Sequence, residues 1–168
     1  MRDLAQVAHR SRAQGSAEQV ELSRFCTHCG SLFDAGGATP ERPLRGRVCS
    51  RCGLGMVLTC ASELLREPGA AFLVVTSDLR ISAASEAAEE LFGTEQGLHG
   101  RPLLSILTSP AGVADLARLV ARAAMGERSV ERMPVESAAR RLKGVSLEAV
   151  IGTCGSPSAA LVVVEGWT

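Results

Sequence analysis

Four of the six cysteines in this chain stand as two C-x-x-C pairs, Cys26 with Cys29 and Cys49 with Cys52. Both copies follow one pattern, apolar-C-x-x-C-G: Phe25-Cys26-Thr27-His28-Cys29-Gly30 and Val48-Cys49-Ser50-Arg51-Cys52-Gly53, with 19 residues between the pairs. Two thiolates three positions apart in a tight turn reach one tetrahedral ion from the same side, and a second such turn completes the set. Glycine directly after each second cysteine suits a turn that needs positive φ and lets backbone N–H groups approach the sulfurs. The segment between, SLFDAGGATPERPLRGR, is too rich in Gly and Pro to bury a core of its own, so an ion has to organise it.

Two other chemistries use the same residues: a pair of disulfides, and a redox pair of the thioredoxin kind. Disulfides are disfavoured in a cytoplasmic chain. A thioredoxin motif opens a helix after a strand instead of repeating in two glycine-punctuated turns. Four thiolates saturate a tetrahedral ion, so the expected site is structural, with no open position for a substrate or an activated water. His28 lies between two cysteines and reads as an exposed imidazole rather than an alternative ligand. Cys60 reads as a small buried hydrophobe, the alternative being a redox switch in which it exchanges into the ligand set. Cys154, in a Gly-Thr-Cys-Gly turn, reads as a bystander.

The chain that must hold these residues has 168 residues, 46% hydrophobic and 21% charged, which is room for one ordinary domain plus a smaller module and excludes disorder throughout. Net charge is zero, no polybasic run occurs, and four Phe and one Trp are the only aromatic residues. The footprint of a nonspecific nucleic-acid or anionic-membrane binder is therefore missing. No apolar stretch approaches the roughly 20 residues needed to span a bilayer. The N-terminus, MRDLAQVAHRSRAQG, has no unbroken apolar core of the signal-peptide kind, so a cytoplasmic location is expected. Residues 1–60 hold eight Arg against five acidic residues, and residues 61–168 hold ten basic against thirteen acidic, so the two parts differ in sign, at about +3 and −3.

Periodicity places the elements. Leu4, Val7 and Ala8 predict a short helix within Asp3 to Glu21, in need of a partner. Ala61 to Glu67 predicts a short linker helix stopped by Pro68-Gly69, followed by strands at Ala71–Thr76 and Arg80–Ser82 and a helix from Ala84 to Gly93. From Gly112 to Met125, Val113, Leu116, Ala117, Val120 and Ala124 form one helical stripe with Arg118 and Arg122 off it. Strands are expected at Ser129–Val135, Arg141–Ile151 and Ala159–Glu165. In the middle one, Lys143, Val145, Leu147, Ala149 and Ile151 make the buried face, with Lys143 at its edge. The last is apolar throughout Ala160–Val164, as a strand covered on both sides should be.

From about Ala71 to Glu165 the chain resembles a PAS domain. The resemblance rests on Phe72-Leu73-Val74-Val75-Thr76-Ser77-Asp78-Leu79-Arg80-Ile81, on Ala84-Ser85-Glu86-Ala87-Ala88-Glu89-Glu90-Leu91-Phe92-Gly93, and on Gly100-Arg101-Pro102-Leu103. Ser85 stands where the family most often has Asn. The resemblance implies an α+β fold: a five-stranded antiparallel sheet with helices on one face, a cavity between them, and sensing or protein contact as the task. Haem-binding members use a histidine on the long helix, and Gly112 to Met125 has none; His99 lies in the preceding loop. Light-sensing members use a cysteine on the mid-domain helices, and none occurs between Cys60 and Cys154. Neither haem nor a covalent flavin is expected, and the ligand of the cavity stays open. Residues 24–58 resemble the zinc ribbons and, through the C-x-x-C-G turns, rubredoxin. Thr27-His28 and Ser50-Arg51 stand where rubredoxins usually carry a proline, and only Phe25 and Phe33 are near, so a structural Zn2+ is expected rather than iron.

The expected division is an N-terminal helix or flexible segment at 1–22, a zinc ribbon at 23–60, a linker helix at 61–70 and a PAS-like sensor domain at 71–168. This describes a bacterial regulatory protein that senses or dimerises through one module and contacts a partner through the other, in regulation of transcription. A protein partner and a homodimer are expected. Arg42, Arg45, Arg47 and Arg51 cluster near the second pair and are the candidate contact to that partner or, as the weaker branch, to DNA phosphates. An enzyme is not expected: no Ser-His-acid constellation or phosphate-binding glycine loop occurs, and the adjacent Glu89 and Glu90 do not share a helix face. The alternative is a rubredoxin-like electron-transfer or redox-sensing protein with an iron centre.

Overall fold

The computed structural model describes residues 20–33 and 47–166. The expected N-terminal helix lies outside them, as do Arg42 and Arg45. Nine strands and three helices follow in the order β1 (Leu22–Cys26), β2 (Leu32–Phe33), β3 (Val57–Ala61), β4 (Ala71–Val75), β5 (Ile81–Ala84), α1 (Glu86–Phe92), α2 (Glu95–Leu98), β6 (Leu107–Thr108), α3 (Val113–Ala124), β7 (Glu131–Ser137), β8 (Leu147–Cys154) and β9 (Ala159–Glu165). All pairings between these strands are antiparallel.

Five of these strands, in the order β7-β8-β9-β4-β5, form the expected sheet, but the sheet does not stop there. Strand β7 pairs only with Leu147–Ile151 of β8, which leaves the far end of β8 open. There Cys154 pairs with Cys60 of β3, and β3 carries β1 and β2 with it. The cysteine-rich hairpin is therefore continuous with the large sheet.

The alternation of side chains along β4, β8 and β9 builds two cores. Leu73, Val75, Leu147, Ala149, Ile151, Val162 and Val164 face Leu116, Val120 and Ala123 of α3 and Leu103 and Leu107 of the connecting segment. Phe72, Val74, Val150, Leu161 and Val163 face the other way, onto Phe25, Leu64 and Leu65. Strand β9 is apolar from Ala159 to Val164 because both faces are covered. These side chains pack between the sheet and α3. A cavity of about 530 Å3 opens instead on the opposite face, against Leu22, Cys60, Leu64, Arg128, Val130 and Cys154.

Three expectations are corrected. Residues 61–67 are not a helix: Ala61 ends β3, the chain turns through Ser62–Leu64, and Leu64 and Leu65 both plug the second core. Gly152 makes this fit, since a Cβ there would lie 2.7 Å from Leu64 Cδ1. Residues 141–146 are not strand either. A 3-10 turn at Arg140–Leu142 buries Leu142 and leaves Lys143 exposed, so the pairing starts at Leu147. On α3 the buried stripe runs through Leu116, Val120, Ala123 and Ala124, and Val113 stays exposed at the helix start. No helix among the described residues is long and apolar enough to cross a membrane.

Candidate metal centre

Strand β1 ends on Cys26, and the chain turns at once through Thr27–Cys29. Gly30 closes the turn at φ 64°, donating its N–H to the Cys26 carbonyl (3.2 Å). The second copy does the same: Gly53 sits at φ 72° and donates to the Cys49 carbonyl (2.9 Å). Both glycines thus take the left-handed conformation that their place in the motif predicts, at little steric cost. The turns are held face to face by the β1–β3 pairing, by Thr27 N–H to Met56 O (2.8 Å) and by Cys49 N–H to Gly55 O (2.7 Å).

This brings the four sulfurs of Cys26, Cys29, Cys49 and Cys52 within 4.8 Å of one another. Cys26 Sγ is 3.7 Å from Cys52 Sγ, and Cys29 Sγ is 3.9 Å from Cys49 Sγ. A disulfide is about 2.05 Å long, and all six cysteines are free thiols here. A tetrahedron with metal–sulfur bonds of about 2.3 Å has edges of roughly 3.8 Å, so these separations are those of four ligands around one ion. Neither pair opens a helix, which removes the thioredoxin arrangement.

Backbone N–H groups aim at the sulfurs in matched positions: His28 to Cys26 (3.4 Å), Arg51 to Cys49 (3.4 Å) and Gly55 to Cys52 (3.5 Å). Such donors favour the charged thiolate. The Gly55 and Leu54 N–H groups bring Cys52 down to about 6. Burial acts the other way on Cys26 and pushes its thiol up to about 12, against the N–H groups of His28 and Cys29. A buried thiolate set of this kind is stable only with a cation to offset its charge. The residues fit a four-thiolate ion such as Zn2+.

Gly55 is a part of the site that the spacing of the cysteines does not reveal. A Cβ there would collide with Cys26 Sγ and lie 2.8 Å from His28 Cβ and N. Its only trace in the sequence is the second glycine of Cys52-Gly53-Leu54-Gly55, which has no counterpart after Cys29. Ser31 is another, with its hydroxyl 3.1 Å from Cys29 Sγ.

His28 is not the exposed imidazole expected. Its side chain is only 20% exposed and lies against α1, with Nε2 at 3.4 Å from Glu86 Oε1 and Nδ1 at 3.9 Å from Glu89 Oε1. Folding the motif onto a distant helix, rather than anything local, buries it. Arg47 and Arg51 are exposed beside the second pair, and Arg51 donates to Ser31 Oγ (3.4 Å). Cys60 and Cys154 belong to the second core, and burial pushes both thiols up to about 12.

On the sheet side, Ser85 caps α1: its Oγ accepts from Ala88 N–H (3.2 Å) and Phe72 N–H (3.0 Å) and donates to Ala70 O (2.9 Å). Ser thus does the work of the Asn usual in the resembled family. A family model described as the PAS fold matches residues 66–151. This chain belongs to the PAS fold family. Among solved structures, the PAS chain is similar to the PAS domain of the Cronobacter turicensis RpfR quorum-sensing receptor in complex with BDSF, at 15% identity and TM-score 0.47, over 61% of this chain and 97% of that one. It is also similar to the PAS domain of a Desulfitobacterium hafniense protein, at 17% identity and TM-score 0.44, over 62% and 98% of the two chains. A third is the sensor region of a sensor histidine kinase, at 18% identity and TM-score 0.42, over 58% of this PAS chain and 39% of that one. No curated protein gives a significant match. The matched PAS segment begins after the four cysteines, so the candidate metal centre lies outside the part that defines the family.

Proposed function

We propose that this protein is a signal-sensing regulator in which the PAS domain, residues 71–168, is joined to a structural zinc module, residues 23–60, that docks a protein partner in regulation of transcription. The observation that carries the reading is the convergence of four thiol ligands at tetrahedral separations on a hairpin fused to the sensor sheet. Val48, Leu54 and Met56 are exposed on the second turn, Leu54 to 75%, beside Arg47 and Arg51. Apolar side chains ringed by arginine favour a protein partner over DNA phosphates, which reward charge alone. Four thiolates leave no coordination position for a substrate, so the ion supplies structure rather than catalysis.

The test is the visible spectrum and metal content of the full chain purified without chelator, alongside Cys49→Ala. The expected outcome is a colourless protein with one zinc per chain, and a variant that loses the zinc and the structure of the hairpin while the sheet and α3 stay folded. Strong visible absorption with bound iron overturns zinc in favour of electron transfer. A chain that binds no metal overturns the reading altogether.

A further inference from the structure

The two ligands of the first turn, Cys26 and Cys29, flank His28, so the position of His28 is set by whatever holds those sulfurs together. Its N–H donates to Cys26 Sγ. Its carbonyl reaches out of the module and accepts the N–H of Glu86, the first residue of α1, at 2.9 Å. Its imidazole faces the carboxylates of Glu86 and Glu89 on the same helix. Glu89 Oε1 is buried and has no hydrogen-bond partner among the described residues, and the His28 imidazole lies 3.9 Å from it. One residue thus touches a ligand sulfur at one end and the sensor helix at the other.

The rest of the turn is fastened to the same place. Phe25 packs edge-on against Phe72, with ring centroids 5.3 Å apart. Gly30 accepts a hydrogen bond from Gly69 N–H (3.4 Å), and a Cβ on Gly30 would press on the Gly69 backbone at 3.1 Å. Phe72 in turn exchanges hydrogen bonds with Ser85, the cap of α1. Helix α1 has seven residues, too few to be stable without tertiary support. Its first turn has two supports: the Ser85 hydroxyl and the His28 carbonyl.

We infer that His28 couples the metal centre to the PAS core, so that metal loading sets the order of α1. The inference rests on the metal reading above. When the ion leaves, four thiols no longer share a cation, the Cys26–Cys29 turn relaxes, and His28 withdraws its carbonyl and imidazole from α1. Coupling of this kind is reciprocal: whatever displaces α1 weakens the hold on the metal by the same factor. His28 is a positioning residue, not a ligand.

The experiment is amide hydrogen exchange on the full chain, zinc-loaded and after chelation, for wild type and His28→Ala, with zinc content measured on each sample. Chelation is expected to speed exchange across residues 86–92 by about fivefold to tenfold, the size of losing a helix cap, with β9 unchanged. His28→Ala is expected to keep one zinc per chain and yet show the faster α1 exchange while loaded. If chelation instead opens the whole sheet, the loaded His28→Ala variant decides by its α1 exchange alone. Unchanged α1 exchange in the chelated wild-type chain overturns the coupling and leaves the metal reading intact, and wild-type exchange in loaded His28→Ala overturns the imidazole's share of it, because that variant keeps the backbone carbonyl. A wild-type chain with no zinc overturns the metal reading, and the coupling with it.

Discussion

The two C-x-x-C-G turns share a sequence pattern, a glycine at positive φ and an N–H to sulfur hydrogen bond, yet their surroundings differ. In the first, Phe25 is fully buried against Phe72, and the turn rests on Gly69 and α1. In the second, the equivalent Val48 is 57% exposed, and Leu54 and Met56 beside it are exposed as well. A ligand motif therefore specifies how a turn presents two sulfurs, and says nothing about whether that turn anchors a module or displays it. Here the first copy anchors, and the second stays exposed among the described residues.

The sharpest way to break this comparison is to truncate the same motif position in both copies. Phe25→Ala is expected to cost about 3–5 kcal/mol in a urea titration of the full chain, because it empties a site shared with Phe72. Val48→Ala is expected to stay within about 0.5 kcal/mol. Equal losses would remove the distinction between anchor and display.

A smaller effect separates two glycines of the second copy. Gly55→Ala forces a Cβ into Cys26 Sγ and should lower zinc affinity about 10- to 100-fold in a competition titration. Gly53→Ala meets nothing within 4 Å and carries only the left-handed backbone cost of about 1–2 kcal/mol, which should appear in stability. Identical zinc affinities for the two variants would show that Gly55 is a spacer rather than part of the site.

The smallest expected effect lies on the PAS side of the anchor. Ser85→Ala removes the side-chain cap of α1 and should lower stability by about 1 kcal/mol, read as a drop in thermal midpoint. No change would mean that the His28 carbonyl alone holds the start of the helix, which sharpens the role given to the first turn.

Much of the fold was legible because its signals are local. Strand β9 occupies Ala159–Glu165, as its unbroken apolar run suggested, and α3 lies inside the stretch marked by its helical stripe. The PAS hairpin, the capped helix and the Gly-Arg-Pro-Leu step were readable as a linear string. The segment after β3 was not. Leu64 and Leu65 are adjacent, so no period distinguishes a helix from a turn, and the choice was made by Gly152, a bare position on a strand far along the chain. The extent of the sheet was equally hidden, since the single Cys60–Cys154 pairing depends on where β7 stops.

At the candidate site the division is similar. The four cysteines and the two turn glycines could be named in advance because a knuckle is six consecutive residues whose backbone obeys its own sterics. Gly55 and the contacts of His28 could not, because each depends on a side chain or helix brought close only by folding, while Ser31, two residues from Cys29, lies outside the C-x-x-C-G pattern that singles out the other residues.

By itself, then, the sequence determined which thiols can share an ion, which strands have two covered faces and where α1 and α3 begin, all of which follow from spacing along a few turns of chain. The tertiary structure alone decided that the cysteine hairpin extends the PAS sheet, that one turn is buried and the other exposed, and that His28 faces α1. Those outcomes turn on competition between distant surfaces for the same apolar cover, and short-range spacing carries no record of which surface wins.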